Sequence, residues 1–167
     1  HCHPAVVEAI RAQAGELLHV SNLFYTAPMV ALAKRLSESS LGGKVFFCNS
    51  GTEANECAIK VARKAARARG IENPEIVSFE SDFHGRSYGS LSATPGLATN
   101  PDFAPMLPGF RSVPFDDAEA LREAVNENTA AVLIEPIQGE AGVFPLSDET
   151  LHAARQACDE VGALLIF

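Results

Sequence analysis

The sequence predicts an α/β fold, a mostly parallel sheet flanked by helices, and two features of its 167 residues carry that prediction. From residue 44 onward, short apolar runs alternate with amphipathic ones, the order in which strands and crossover helices build a parallel sheet. Three polar clusters then each follow an expected strand, so that all would meet at one sheet edge, where open α/β sheets bind ligands.

Residues 4–18 set Val6, Val7, Ile10, Ala14, Leu17 and Leu18 on one helical face, and Pro4 suits a first turn, so a packing helix is expected. After the irregular "HVSNLFYTAP", a second helix is expected from about Pro28 to Ser37, with "LGG" breaking it. "KVFFC" reads as a strand. The clearest helix follows from Gly51, with Ala54, Cys57, Ala58, Val61, Ala62 and Ala65 on one side and Glu56, Lys60, Arg63, Lys64 and Arg67 elsewhere. Its start is acidic, its end basic, and Gly70 stops it. Next come the strand "EIVSFE", a long irregular stretch, the strand "RSVPF", a helix from about Asp117, the strand "AAVLIEP", a helix from about Asp148, and "ALLIF", expected to be central and buried in the full-length parent but uncovered in this chain. Residues 1–43 therefore form an N-terminal helical segment leading into a larger domain at 44–167. That domain is expected to be incomplete, because the chain stops on a strand whose C-terminal end is where a functional residue belongs.

A net charge of −8 and a pI near 5.1 work against nucleic-acid binding, which needs basic residues to displace counterions. No apolar run approaches the eighteen or so residues of a membrane helix, and "HCHPAVVEAI" lacks signal-peptide order, so a soluble chain is expected. Cys2, Cys48, Cys57 and Cys158 have no paired metal spacing, and the last three fall in segments that read as buried, which favours reduced thiols in a cytoplasmic setting. His1 and His3 have no third ligand in view, and no metal is expected.

In the first cluster, "NSGTE", Gly51 lets a ligand approach the backbone, and the amides of Gly51 and Thr52 would leave the helix start where the dipole favours an anion. A capping box of Ser50 and Glu53 explains the same residues, and helix physics alone does not choose. The G-x-x-x-x-G-K-[ST] lysine and spacing are absent, and Cys48 stands where a nucleophile elbow needs glycine. In "SDFHGR", Phe83 can stack on a planar ring and Arg86 can grip a carboxylate, yet core, turn and surface roles explain them more simply. In "EPIQGE", Glu135 and Glu140 can both face the crevice. Glu135 directly follows "AAVLI", and a carboxylate buried there needs a partner.

Together "HCHPAVVEAI", "HVSNLFY", "NSGTEANECAIKVARK", "FHGRSYGSLSATP" and "IEPIQGEAGV", in that order and spacing, resemble the class III pyridoxal-phosphate-dependent aminotransferases, and within them the acetylornithine branch. The resemblance implies part of the large domain of a fold type I enzyme, with pyridoxal 5'-phosphate as cofactor. It assigns Gly51 and Thr52 to the cofactor phosphate, Phe83 to its ring and Glu135 to its side. It assigns Arg86 to a substrate carboxylate and Glu140 to pairing with an arginine further along. Asn22 and Tyr25 would border the site or a dimer interface. Transfer of the amino group of N-acetylornithine to 2-oxoglutarate, in arginine biosynthesis and by a homodimer, is what the resemblance implies for the full-length parent. Ornithine, succinylornithine, succinyldiaminopimelate and 4-aminobutyrate remain alternative donors, and a noncatalytic phosphate-ligand module is the alternative of another class. Lys34, Lys44, Lys60 and Lys64 are the only lysines and none matches the Schiff-base position, so the catalytic lysine is expected beyond Phe167 and the chain alone is expected to be inactive.

Overall fold

Apolar runs from 75 onward become the strands of a parallel sheet in the computed structural model, which describes residues 1–167. The chain falls into two units, His1–Phe47 and Cys48–Phe167.

The first unit holds α1 (Pro4–Glu16) and α2 (Ala27–Glu38), each with a proline in its first turn, where the missing N–H costs no hydrogen bond. Neither helix buries a residue. The face of α1 expected to pack is at the surface, with Val6 and Ile10 more than half exposed. The expected strand "KVFFC" does not form: residues 44–48 carry no ladder, and Phe46 and Phe47 stay exposed. A strand exists only when its amides and carbonyls pair with a neighbour, and no strand of this chain pairs with 44–48.

The second unit begins with α3 (Gly51–Ala68) and continues through β1 (Glu75–Phe79), α4 (Tyr88–Ser92), α5 (Pro95–Ala98) and a 3-10 turn at Pro101–Phe103. Then come β2 (Phe110–Val113), α6 (Ala118–Ala124), β3 (Thr129–Leu133), the hairpin strands β4 (Ile137–Gln138) and β5 (Phe144–Pro145), α7 (Asp148–Val161) and β6 (Leu164–Ile166). The sheet runs β2-β1-β3-β6, every pair parallel.

Side chains alternate across it. Ile76, Ala131 and Leu133 form one core with Ile59, Ala62 and Ala66 of α3. Val77, Phe79 and Val132 form another with Leu121 of α6 and Ala154 and Cys158 of α7. Full burial of Phe79 and Leu121 contributes about 1.5–3 kcal/mol each.

Three expectations change here. Helix α3 buries Ile59, Ala62 and Ala66, so of the expected stripe only Ala62 is buried, and Val61 is 54% exposed. With so many alanines the apolar stripe is too wide to fix the rotation, and the small residues turn to the sheet because they let the helix approach closely. The strand expected to be central, "ALLIF", is the edge strand β6, with Phe167 exposed, because only β3 pairs with it. Of the three cysteines expected to be buried, only Cys158 is; Cys48 is exposed and Cys57 half-buried, and all four thiols are free.

Strand β1 leads to β2 on one side of the sheet, while its neighbour β3 leads through α7 to β6 on the other. Chains leaving adjacent strands in opposite directions open a crevice at their C-terminal ends. The loops after β1 and β3 lie at that switch point.

Candidate active site

The start of α3 supplies the first part of the site. Ser50 is its N-cap, accepting the Glu53 amide at 3.3 Å, and the Glu53 carboxylate reaches back to the Asn49 amide at 2.6 Å. The reciprocal arm of the capping box thus lands one residue early. The Ala54 amide bonds the Ser50 carbonyl, while the amides of Gly51 and Thr52 have no acceptor. A Cβ placed on Gly51 would meet nothing within 4 Å, so the space beside those two amides is open. Cap and anion site are therefore compatible: Ser50 and Glu53 shape a turn that leaves two donors at the positive end of an 18-residue helix.

The loop after β1 is fixed from every side. Asp82, fully buried, accepts the Phe79 amide and the Gln138 side-chain amide, each at 2.9 Å. Gln138 also donates to the Glu80 carbonyl, which ties the loop after β3 to the loop after β1. The Phe83 amide donates to Glu135 Oε2 at 2.9 Å, the partner a carboxylate beside a buried strand requires. The His84 amide goes to Thr94 Oγ1, and its carbonyl accepts from Asn55 of α3 at 2.7 Å. His84 Nε2 is buried with no hydrogen bond, 3.4 Å from Asp82 Oδ2. The half-buried Phe83 ring is presented by this scaffold with the exposed Arg86 guanidinium 5.9 Å from its centre. Arg86 makes no ion pair and is available to an incoming carboxylate.

Helix α3 is joined to the same loop by hydroxyls. Thr52 Oγ1 lies 2.7 Å from Ser87 Oγ and 2.6 Å from Ser90 Oγ. Glu56 Oε1 accepts from Ser87 Oγ at 2.6 Å and from the amides of Gly89 and Ser90 at 2.9 and 3.1 Å. Burial alone would raise the Glu56 carboxyl, but the Ser87 hydroxyl, the two amides and the Lys60 charge outweigh it and hold the group below the ordinary carboxylate range.

The structure thus links Thr52, Phe83, Arg86 and Glu135, together with the open turn at Gly51. It does not link Glu140, which is exposed at the tip of the β4–β5 hairpin without a hydrogen bond or ion pair. Asn22 and Tyr25 belong to the first unit, where both are exposed and line a cleft with Phe24 and Phe47. Asp82, Gln138, Asn55, Glu56, Ser87 and Ser90 were not singled out from the sequence. One signal existed: Thr52, Asn55, Glu56 and Ile59 are spaced three or four apart, so the sheet-facing row of α3 turns polar toward its start.

The family model for aminotransferase class-III matches residues 1–167. The acetylornithine aminotransferase of Methanocaldococcus jannaschii is 51% identical across the whole chain, and that of Neisseria meningitidis serogroup A is 50% identical across 99% of it. The chain spans 42% of the length of each of these relatives. Among solved structures, the ornithine aminotransferase of Toxoplasma gondii superposes with a TM-score of 0.91 at 32% identity, over 99% of this chain and 40% of its own. The N-acetylornithine aminotransferase of Stenotrophomonas maltophilia gives 0.81 at 40% identity, over the same shares. With a family match along its full length and a fold shared with these enzymes, the chain belongs to the class III aminotransferases.

Proposed function

We propose that the protein carrying this chain is a pyridoxal-phosphate-dependent aminotransferase that moves an amino group from N-acetylornithine to 2-oxoglutarate. The observation that carries the proposal is the joining of an open helix start to an aromatic ring, a free arginine and a buried-edge carboxylate at one switch point. The residues fit the cofactor: two unpaired amides with open space beside them suit its phosphate, and a ring held by its own backbone suits a planar heterocycle.

In this proposal Gly51 and Thr52 bind the phosphate through N–H groups. Phe83 covers one face of the heterocycle, and Glu135 fixes the Phe83 backbone and lies beside the cofactor. Arg86 receives a substrate carboxylate, and Glu140, unpaired here, pairs with an arginine further along the polypeptide. Bound pyridoxal phosphate supplies an electron sink for the charge left when the amine-bearing carbon loses its proton. What these residues add is orientation and exclusion of water from one face of the ring. None of the four lysines is assigned the catalytic role: Lys34 pairs with Glu38, Lys44 is exposed in the first unit, and Lys60 and Lys64 are exposed on α3. The 167 residues alone are therefore proposed to be inactive. Residues 44–167 are assigned to the cofactor-binding domain, with 1–43 leading into it, in a cytoplasmic homodimer serving arginine biosynthesis.

The donor is chosen by the likeness to acetylornithine enzymes at about 50% identity. Steady-state rates of the full protein with N-acetylornithine, ornithine, succinylornithine, succinyldiaminopimelate and 4-aminobutyrate test it. The highest kcat/KM is expected for N-acetylornithine; a strong preference for 4-aminobutyrate contradicts the choice.

A further inference from the structure

The hydroxyl cluster beneath the α3 start can be given a direction. Glu56 Oε1 faces three donors, the Ser87 hydroxyl and the amides of Gly89 and Ser90, and an ionised carboxylate only accepts. Ser87 therefore spends its single proton on Glu56. A hydrogen bond across the 2.7 Å contact between Thr52 Oγ1 and Ser87 Oγ can then be donated only by Thr52. If the Thr52 proton goes to Ser87, the 2.6 Å contact to Ser90 Oγ is a bond donated by Ser90. The Ser87 amide adds a further donor to Thr52 Oγ1 at 3.3 Å. Ser90 Oγ also lies 2.9 Å from Ser87 Oγ and 3.1 Å from the Ser87 carbonyl, so its proton has more than one acceptor; in every arrangement the Thr52 proton goes to Ser87 or Ser90, and the cluster ends on the Glu56 charge.

Two glycines make room for it. A Cβ on Gly85, whose φ is +133°, would lie 2.4 Å from Thr52 Oγ1, and one on Gly89 would sit within 2.7 Å of both Glu56 carboxylate oxygens. The loop bearing Arg86 can lie on this cluster only because positions 85 and 89 have no side chain.

We infer that Glu56 is a positioning residue for the anion-binding turn: through Ser87 it commits the Thr52 hydroxyl to the interior, so the turn offers an anion backbone amides alone, and it anchors the Arg86 loop to the same helix. This rests on the cofactor assignment made above. Thr52 Oγ1 donates nothing to a bound phosphate, and Glu56 acts at a distance by fixing the Thr52 rotamer and the loop at 87–90.

The test measures the affinity of the full protein for pyridoxal 5'-phosphate, for inorganic phosphate and for pyridoxal, in wild type, Glu56→Gln, Thr52→Val, Thr52→Ser and the Glu56→Gln/Thr52→Val double variant. Glu56→Gln and Thr52→Val are each expected to weaken both phosphate ligands about tenfold and leave pyridoxal unchanged, with the double variant no worse than either. Thr52→Ser, which keeps the donor, is expected to bind like wild type. Wild-type phosphate affinity in Glu56→Gln, or equal losses for pyridoxal, overturns the inference. If the wild-type protein shows no preference for the phosphate-bearing ligands, the cofactor assignment fails, while a double-mutant cycle of unfolding still decides the relay: coupled losses sustain it, and additive losses overturn it.

Discussion

Helices α3 and α7 both start on a serine whose hydroxyl accepts the amide three residues on, Ser50 from Glu53 and Ser147 from Thr150. What surrounds the two starts differs. At α7 the first two helical positions are Asp148 and Glu149, and Asp116 Oδ1 takes both the amide and the hydroxyl of Ser147, at 2.9 and 2.8 Å. The positive end of that helix is answered by carboxylates of its own. At α3 the same positions are Gly51 and Thr52, neutral and small, and the single acid of the first turn, Glu53, is folded back onto Asn49. A helix dipole and two first amides without an acceptor are common to both; neutral residues at the first two positions belong to α3 alone.

Importing the α7 arrangement into α3 gives the largest expected effect. Gly51→Asp would place a carboxylate beside the proposed phosphate position, and two like charges about 4 Å apart cost roughly 4 kcal/mol at an effective dielectric near 20. Affinity for pyridoxal 5'-phosphate should fall more than about a hundredfold, read by fluorescence titration, with the unfolding midpoint nearly unchanged. Asp148→Asn at α7 should leave that affinity as it was.

Next in size is Gly89→Ala, whose added carbon would overlap the Glu56 carboxylate; urea unfolding should show a loss of about 1–3 kcal/mol. Gly51→Ala, with nothing within 4 Å, should stay within about 0.5 kcal/mol of wild type in the same assay. Below the Gly89→Ala loss, Ser50→Ala and Ser147→Ala should each cost about 1 kcal/mol as lost caps, but only Ser50→Ala should also weaken the phosphate ligand.

The smallest effect is in the acid limb of stability. Glu56 is held low against its own burial by Ser87, Ser90, Gly89 and Lys60, and Asp116 against its own burial by the Ser147 amide and the hydroxyls of Thr150 and Ser147. Folded values below unfolded ones mean that each contribution is present above the ordinary carboxylate pKa of about 4 and is lost as pH falls through the folded value. Thermal unfolding from pH 6 to pH 3 should therefore fall less steeply in Glu56→Gln and in Asp116→Asn than in wild type. A parallel shift at every pH would contradict the assignment of charge to these two groups.

Much of this contrast was legible in the sequence, because it is local. Serine followed by glutamate or threonine three residues on, Gly51 at the turn, and apolar runs at 75–79 and 129–133 are features of neighbouring residues, and both helix starts and both central strands formed where expected. The failures are non-local. "KVFFC" has a strand's composition but no partner to pair with, and "ALLIF" has a central strand's composition but only β3 beside it. The rotation of α3 depends on which alanines the sheet accepts. The relay from Ser90 to Glu56 joins residues more than thirty positions apart, whose types alone suggest only surface. Glu135 illustrates the boundary: its need for a partner followed from its place after "AAVLI", while the partner itself, the Phe83 amide 52 residues away, required the fold.

In the proposed function the open start of α3 is the phosphate anchor. That role is tested most directly by following the amide resonances of Gly51, Thr52, Asp148 and Glu149 in the selectively labelled full protein during titration with pyridoxal 5'-phosphate. Large, saturable shifts are expected at Gly51 and Thr52 and none at Asp148 and Glu149. Unmoved Gly51 and Thr52 amides at saturating cofactor, or equal shifts at both helix starts, would contradict it.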